Sequence, residues 1–404
     1  MRYKSRNKCL CCNKKFLSEI INLGLHSFAD RFIPISKKGK KDPVYPLILD
    51  ICRKCSFIQS RIITNPKHRY IDLDYSYTSD NSKYSRNHWI KFANTLDRKF
   101  NIKKKKIIEI GSNDGFLSSI LKKKGADVLA IDASKFMVNI CLKKKINSVH
   151  SIFDYTQSKK IKKKYGEADI IIANNVFNHS NEPSNFIKGV NNLLKSDGKF
   201  IFEQPNFTEG VLSLKFDQIY HEHISYFTVK NINSILNFNN FKIINISKND
   251  YHGGSLRTVA VKKKLKLKTL DLTKFINFER KNNIYKINHY KKMMSKIDNK
   301  KSVFLKKIDN YIKKGNIICG IGAGAKSNTF LTYYGLNNFK VKFITDSSKF
   351  KQNKLTPVSR IIIKDDSEIK KYNQILCIIL SWNISSLIID KIKKINKNIQ
   401  FIYT

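Results

Sequence analysis

The sequence predicts an α/β protein in which two Rossmann-like units follow a small cysteine-rich N-terminal module. Three observations carry this reading. Two Cys-x-x-Cys knuckles, Cys9 to Cys12 and Cys52 to Cys55, fall near the start of the chain. From Lys106 to Gln204 short apolar runs alternate with helical patterns, the mark of strand-helix-strand crossovers. The alternation restarts near Ser302, around a second glycine-rich turn from Gly320 to Lys326.

With 404 residues the chain is long enough for two or three domains, and 41% hydrophobic with 11% aromatic residues is enough to fill their cores. The formal net charge is +46, but lysine is spread in short runs such as Lys103 to Lys106 and Lys262 to Lys264. Abundant isoleucine and asparagine accompany it, which reads as a coding bias. A nucleic-acid binder gathers its charge on one face with arginine and aromatics interleaved. No nucleic-acid partner is therefore expected, whereas a phosphate-bearing small substrate suits the positive field. The N-terminus has no apolar signal-like region, and no run approaches the roughly 18 apolar residues of a membrane span. A cytoplasmic protein with no membrane partner is expected.

In chain order, each knuckle aims two thiolates and its own backbone N–H groups at one point. Cys9, Cys12, Cys52 and Cys55 together supply the four sulfurs of a tetrahedral structural zinc. Leu23 to Asp30 and Tyr45 to Leu49 are expected to form a small sheet over the metal. Cys11 is a spare thiol that leaves the ligand choice in the first knuckle open. Cys141, Cys319 and Cys377 sit singly in apolar patterns and read as reduced core residues. Tyr77 and Ser79 belong to a polar, aromatic linker suited to a wall closing over a polar ligand, or to the capped start of the helix Ser85 to Phe100.

Ile107 to Gly111 predicts a buried strand, Gly111-Ser-Asn-Asp-Gly115 a tight turn, and Phe116 to Lys124 a helix. Strands at Ala126 to Asp132, Ala168 to Asn174 and Lys199 to Gln204, with helices Ser134 to Lys144 and Glu182 to Leu194, complete a parallel doubly wound sheet. The glycines at both ends of the turn let a ligand approach the backbone. Asp132 stands where a carboxylate accepts ribose hydroxyls. The turn lacks the GxGxxG spacing of a dinucleotide site. Glu109, the turn residues Gly111, Asn113, Asp114 and Gly115, and Asp132 instead suit a nucleoside with a cationic amino-acid tail, which describes S-adenosylmethionine. Asn174 and Asn175, with Tyr77 and Ser79, extend the expected cofactor-binding set. The stretch after Asn174 lacks the proline-rich tetrapeptide expected for methylation of a nucleic-acid base.

The densest chemistry is Tyr220-His-Glu-His-Ile-Ser-Tyr226, which packs two imidazoles, a carboxylate and two phenols into one short stretch beyond a strand end. Groups that titrate near neutral pH are what proton removal requires. Downstream, Tyr251-His-Gly-Gly-Ser-Leu-Arg257 is a glycine bend whose polar residues face the same mouth. Residues 262–300 read as a helical connector. Gly320, Gly322 and Ala325 then fit GxGxxA, with Asp346 at the end of the next strand, and Lys326 beside the helix N-terminus.

This order of parts resembles the nucleotide-sugar C-methyltransferases. The four-cysteine module, Tyr-x-Tyr-x-Ser, Gly-Ser-Asn-Asp-Gly, Tyr-His-Glu-His, Gly-Gly-Ser-Leu-Arg and Gly-x-Gly-Ala-x-Ala-Lys carry the resemblance over essentially the full chain. It implies a class I methyltransferase sheet between a zinc module and a second Rossmann-like domain, with boundaries at 1–74, 75–261, 262–301 (the connector) and 302–404. It implies S-adenosylmethionine at Glu109 to Asp132 and a nucleotide sugar, dTDP-linked, between the central and C-terminal domains. His223 is implied as the general base that removes a proton alpha to a ketone, with Tyr220 and Glu222 in support. Methylation of a sugar oxygen, or a zinc-containing RNA-binding role, are the rival readings.

Overall fold

The computed structural model describes residues 3–70, 78–397 and 399–403. The first module is an antiparallel sheet of β1 (Leu17–His26), β2 (Tyr45–Cys52) and β3 (Ile58–Ser60), with the knuckles at one end. Leu47, Leu49 and Ile51 alternate along β2 into a core shared with the C-terminal part of the chain. A fourth strand of this sheet, Ser225–Tyr226, comes from the middle of the chain, with Ser225 opposite Gln59. The short helix α1 (Pro66–Tyr70) then leads towards the central domain.

Helix α2 (Lys83–Phe100) begins at Ser82, whose hydroxyl accepts from the Ser85 N–H, and buries Trp89, Phe92, Ala93 and Leu96 as their spacing predicts. The central sheet follows: β4 (Lys106–Ile110), α3 (Phe116–Lys123), β5 (Asp127–Asp132), α4 (Lys135–Lys143), β6 (Asn147–His150), α5 (Tyr155–Tyr165), β7 (Ala168–Ile172), α6 (Pro183–Leu193) and β8 (Leu194–Pro205). Sequence patterning missed β6 and α5. The reason is visible in α5, which is rich in lysine and buries only Ser158 and Ile161.

After α7 (Phe207–Leu212) and β9 (Ser225–Tyr226) come α8 (Val229–Phe238), β10 (Phe241–Asn249) and β11 (Ser255–Lys262). The central sheet runs β10-β11-β8-β7-β4-β5-β6, and β11 is antiparallel to both neighbours. The four strands expected to be parallel, β4, β5, β7 and β8, are so, and the sheet becomes mixed where the hairpin of β10 and β11 adds to its edge. The bend at Tyr251–Gly253 is too short for the crossover that a parallel neighbour needs, so it makes a hairpin.

Helices α9 (Thr273–Lys281) and α10 (Ile287–Lys313) form the connector. α10 is continuous through residue 302, because Tyr290, Met293, Ile297, Phe304 and Ile308 keep one buried face throughout. The C-terminal unit comprises β12 (Ile317–Ile321), α11 (Ala325–Tyr334), β13 (Phe343–Thr345), β14 (Ile363–Lys364), β15 (Ile375–Ile379), α12 (Ser385–Ile395) and β16 (Ile399–Tyr403). Its sheet is parallel, in the order β14-β13-β12-β15-β16, so the strand order reverses between β12 and β15. That switch point faces the central domain. This unit also pairs Lys354–Leu355 with Ile33–Pro34 of the first module. Among the described residues, no helix is long and apolar enough to cross a membrane.

Candidate active site

The four sulfurs of Cys9, Cys12, Cys52 and Cys55 lie within 4.8 Å of one another, with Cys9 to Cys55 at 3.5 Å and Cys12 to Cys52 at 3.7 Å. Tetrahedral zinc with bonds near 2.3 Å requires sulfur separations of about 3.8 Å, so the cluster fits the ion. The Cys11 and Cys12 N–H groups point at the Cys9 sulfur, as a knuckle requires. Cys11 is buried and also faces Cys55. Gln59 ties the first knuckle to β3: its side chain accepts from the Leu10 N–H at 2.8 Å and donates to the Lys8 carbonyl at 3.1 Å.

A cavity of about 400 Å³ opens at the C-terminal ends of β4, β5 and β7. Of the residues expected there, Gly111, Asn113, Asp132 and Asn175 line it. The Asp132 carboxylate accepts the Asn113 N–H and the Ser134 N–H, each at 2.8 Å, which fixes it at the rim. Gly111 has φ +72°, and a Cβ there would meet Val176 at 2.8 Å, so the turn needs glycine for both reasons.

The other expected cofactor residues form the turn's scaffold behind the wall. Glu109 is buried and accepts from the Ser118 hydroxyl, and burial pushes its carboxyl up to about 8. Asp114 holds the Ser79 hydroxyl and the Asp80 N–H, while the Ser79 N–H donates to Asn113 Oδ1 at 2.9 Å. Gly115 packs on Cys141, and Asn174 Oδ1 accepts from the Glu203 N–H at 2.9 Å. Tyr77 lies outside the described residues. Arg69, Tyr70 and His179, which the sequence reading did not select, complete one wall.

Tyr220 to Tyr226 is a loop that ends as β9. The backbone of Ile224 donates to Asn178 O at 2.9 Å and accepts from Ser60 N–H at 2.8 Å, so the loop is stitched to both the central domain and the zinc module. His223 is buried, and its Nδ1 lies 2.9 Å from the Gln218 carbonyl. A carbonyl only accepts, so Nδ1 carries the proton and Nε2 is the basic nitrogen. The Tyr220 ring packs against His223 at 3.9 Å between centroids, tilted by 35°, and His179 lies at 5.1 Å. Burial, then Lys326, pushes the His223 imidazole down to about 3, and burial with His223 and Arg69 pushes His179 well below its ordinary value. Both are therefore neutral across physiological pH.

Glu222 does not orient His223. Its Oε1 accepts from the Ala29 and Asp30 N–H groups at 3.1 and 3.5 Å, because His221 and Glu222 form the corner of a turn, closed by the His223 N–H on Tyr220 O at 3.0 Å, that aims Glu222 at the zinc module. Burial and then Asp30 raise its carboxyl to about 7. His221 turns away as well, its Nε2 at 3.2 Å from the His26 and Tyr45 carbonyls.

From the C-terminal unit, Lys326 in the first turn of α11 reaches into the same region, donating to His252 O at 2.6 Å, and burial lowers its ammonium to about 8. Asp346, the acid at the end of the strand after the second glycine turn, is engaged by the Ala323 N–H at 2.8 Å and by Lys351 at 3.6 Å. Arg257, expected at the mouth with His252, is instead held by buried Glu203.

Three family models tile the chain: a zinc binding domain over residues 9–70, a methyltransferase domain over 83–246 and a C-methyltransferase C-terminal domain over 250–404. The chain belongs with the C-methyltransferases. This C-methyltransferase is similar to C-methyltransferase NovU of Streptomyces niveus, 21% identical over 97% of this chain and 93% of that one. A shorter match is to the ubiquinone biosynthesis O-methyltransferase of Acinetobacter baylyi, 26% identical over 25% of this chain and 44% of the relative. Among solved structures, magnesium protoporphyrin IX methyltransferase from Synechocystis PCC 6803 with bound SAH is 22% identical, with a TM-score of 0.36, covering 44% of this chain and 83% of that chain. The C-methyltransferase uses S-adenosylmethionine as its donor and holds zinc in its four-cysteine module, whose sulfur spacing suits the ion.

Proposed function

We propose that this C-methyltransferase acts on the carbon alpha to the ketone of a nucleotide-linked keto-deoxysugar, with His223 as general base. The observation that carries the reading is the His223 ring itself: neutral, with Nδ1 locked on Gln218 O, and Nε2 left to take a proton. Around it, Asn178 Oδ1, both amide atoms of Gln218 and Ser225 Oγ are buried with no hydrogen-bond partner among the described residues, about a space of roughly 10 Å³ that must widen to admit a sugar's hydroxyls.

Nε2 takes the alpha proton as the C–H pair moves into the enolate, and the hydroxyl of Tyr220, whose ring packs against the same imidazole, stabilises the developing oxyanion. When bound, S-adenosylmethionine supplies the sulfonium methyl that accepts the enolate carbon, leaving S-adenosylhomocysteine. Glu109, Asp114, Gly115 and Ser79 support this by holding the turn, Asn174 by tying the end of β7 to β8, and Gly111, Asn113, Asp132 and Asn175 by facing the donor. Lys326 at the α11 N-terminus receives the diphosphate. Because Lys326 is one cause of the depressed His223 basicity, the arriving phosphate charge also raises that basicity.

Oxygen methylation is a second reading, favoured by the partial likeness to an O-methyltransferase. Incubating zinc-loaded protein with a dTDP-4-keto-6-deoxysugar in deuterated water, without donor, separates the two. Carbon chemistry predicts deuterium at the alpha carbon in the wild type and none in His223→Ala, whose donor binding by calorimetry is unchanged. A product methylated on oxygen, with no alpha exchange, overturns the carbon reading.

A further inference from the structure

We infer that Arg69, carried on the zinc module's helix α1, is the positioning residue that fixes the two buried imidazoles, His179 and His223, relative to each other. The inference rests on the proposed role of His223. Arg69 is 2% exposed. Its NH1 donates to the carbonyl of His179 at 3.2 Å and to the carbonyl of Glu222 at 3.4 Å, and its NH2 donates to Asn181 Oδ1 at 3.1 Å. One guanidinium therefore grips the backbone of both histidine-bearing segments, one at His179 and the other one residue before His223.

The grip is braced from the module's side. Asn181 also accepts from Arg6 NH2 at 3.1 Å and donates to Thr64 O at 2.8 Å, and Arg6 NH1 donates to Ile62 O at 2.7 Å. The strand pairing of β3 with β9 fixes the far end of the His223 loop, with Gln59 linking that strand to the first zinc knuckle. A rigid fork with several fixed donors suits this task, and lysine, whose three donors radiate from one nitrogen, cannot span the same acceptors. Arg69 touches no reacting atom in this arrangement. Its charge and that of Lys326 face the imidazoles, as do His252, Tyr220 and Tyr226, and both cations favour the neutral rings.

The test uses full-length, zinc-loaded Arg69→Lys and Arg69→Ala. Expected are zinc content within about threefold of wild type and alpha-carbon exchange, which is read without donor because Arg69 also lines the donor cavity, slowed about 100-fold, the usual cost of a misplacement near 1 Å. Added guanidinium ion restores part of the rate in Arg69→Ala and none in His223→Ala. The His223 Nδ1 proton resonance, which needs no substrate, moves in Arg69→Lys. An unchanged resonance with unchanged exchange overturns the proposal. Loss of rate in step with loss of zinc, without guanidinium rescue, reduces Arg69 to a structural residue and overturns it too. If the wild type itself shows no alpha exchange, the keto-sugar reading fails while the resonance still decides Arg69.

Discussion

At the residue scale, neighbouring side chains in one short loop have separate environments and separate tasks. His223 is buried among groups that keep it neutral, whereas Glu222 caps the Ala29 and Asp30 N–H groups of the zinc module. Glu222→Gln is expected to lower turnover less than tenfold, against at least 1000-fold for His223→Ala, by steady-state kcat/KM. The sign of its stability effect follows from its raised value. The folded state holds a proton on Glu222 that the unfolded state has released above about pH 4.5, so its contribution is present at low pH and lost as pH rises through about 7. Glu222→Gln should therefore flatten the alkaline loss of stability, by on the order of 2 kcal/mol at pH 8 in urea unfolding. The sequence picked out His223 by residue type and density. It could not assign the orienting partner, because Gln218 O is a backbone atom that any residue would supply.

At the element scale, β9 is the joint between metal and chemistry. The four cysteines bring the knuckles together, Gln59 ties the first knuckle to β3, and β3 pairs with the end of the His223 loop. Chelation of zinc should therefore speed amide hydrogen exchange over Tyr220–Tyr226 while leaving β4 and β5 protected, with donor affinity reduced less than tenfold. Equal deprotection of β4 would show that the module holds the whole fold instead. The bend before β11 makes a second prediction. Gly253 has φ +85°, and a Cβ there would lie 2.2 Å from the Trp382 ring. Gly253→Ala should destabilise by roughly 2 kcal/mol or more, a fall of several degrees in Tm, because strain and overlap add. Glycines at 253 and 254 are visible in the sequence as a bend. Their tryptophan neighbour, some 130 residues away in the chain, is not.

At the scale of the whole molecule, three units meet around buried titratable groups, and acid stability follows from that. His26 and His221 are held near 4 and His223 near 3, with His179 and His252 well below the ordinary value, in each case chiefly by burial. These groups bind protons on unfolding below about pH 6.5, so the stability they allow above that pH is lost as pH falls. Glu109 and Glu222 act oppositely, losing stability as pH rises through about 8 and 7. Unfolding free energy should peak between about pH 6.5 and 7.5 and fall below pH 6 by on the order of 2–4 kcal/mol per unit. A flat profile in urea melts from pH 5 to 8 would contradict this burial. Lys326→Met should raise KM for the nucleotide sugar at least tenfold with donor affinity unchanged, which tests the placement of the diphosphate across units. The sequence by itself determined the two alternating α/β units, the two Cys-x-x-Cys knuckles, the glycine turn with Asp132, and the His223 stretch, because these depend on local spacing and residue chemistry. Only the tertiary structure decided that Glu109 and Asp114 brace the donor turn from behind, that β11 runs antiparallel, and that Arg69 and Lys326 converge on the histidines from opposite units. Those outcomes depend on burial and on partners distant in the chain, and no local pattern of residues encodes them.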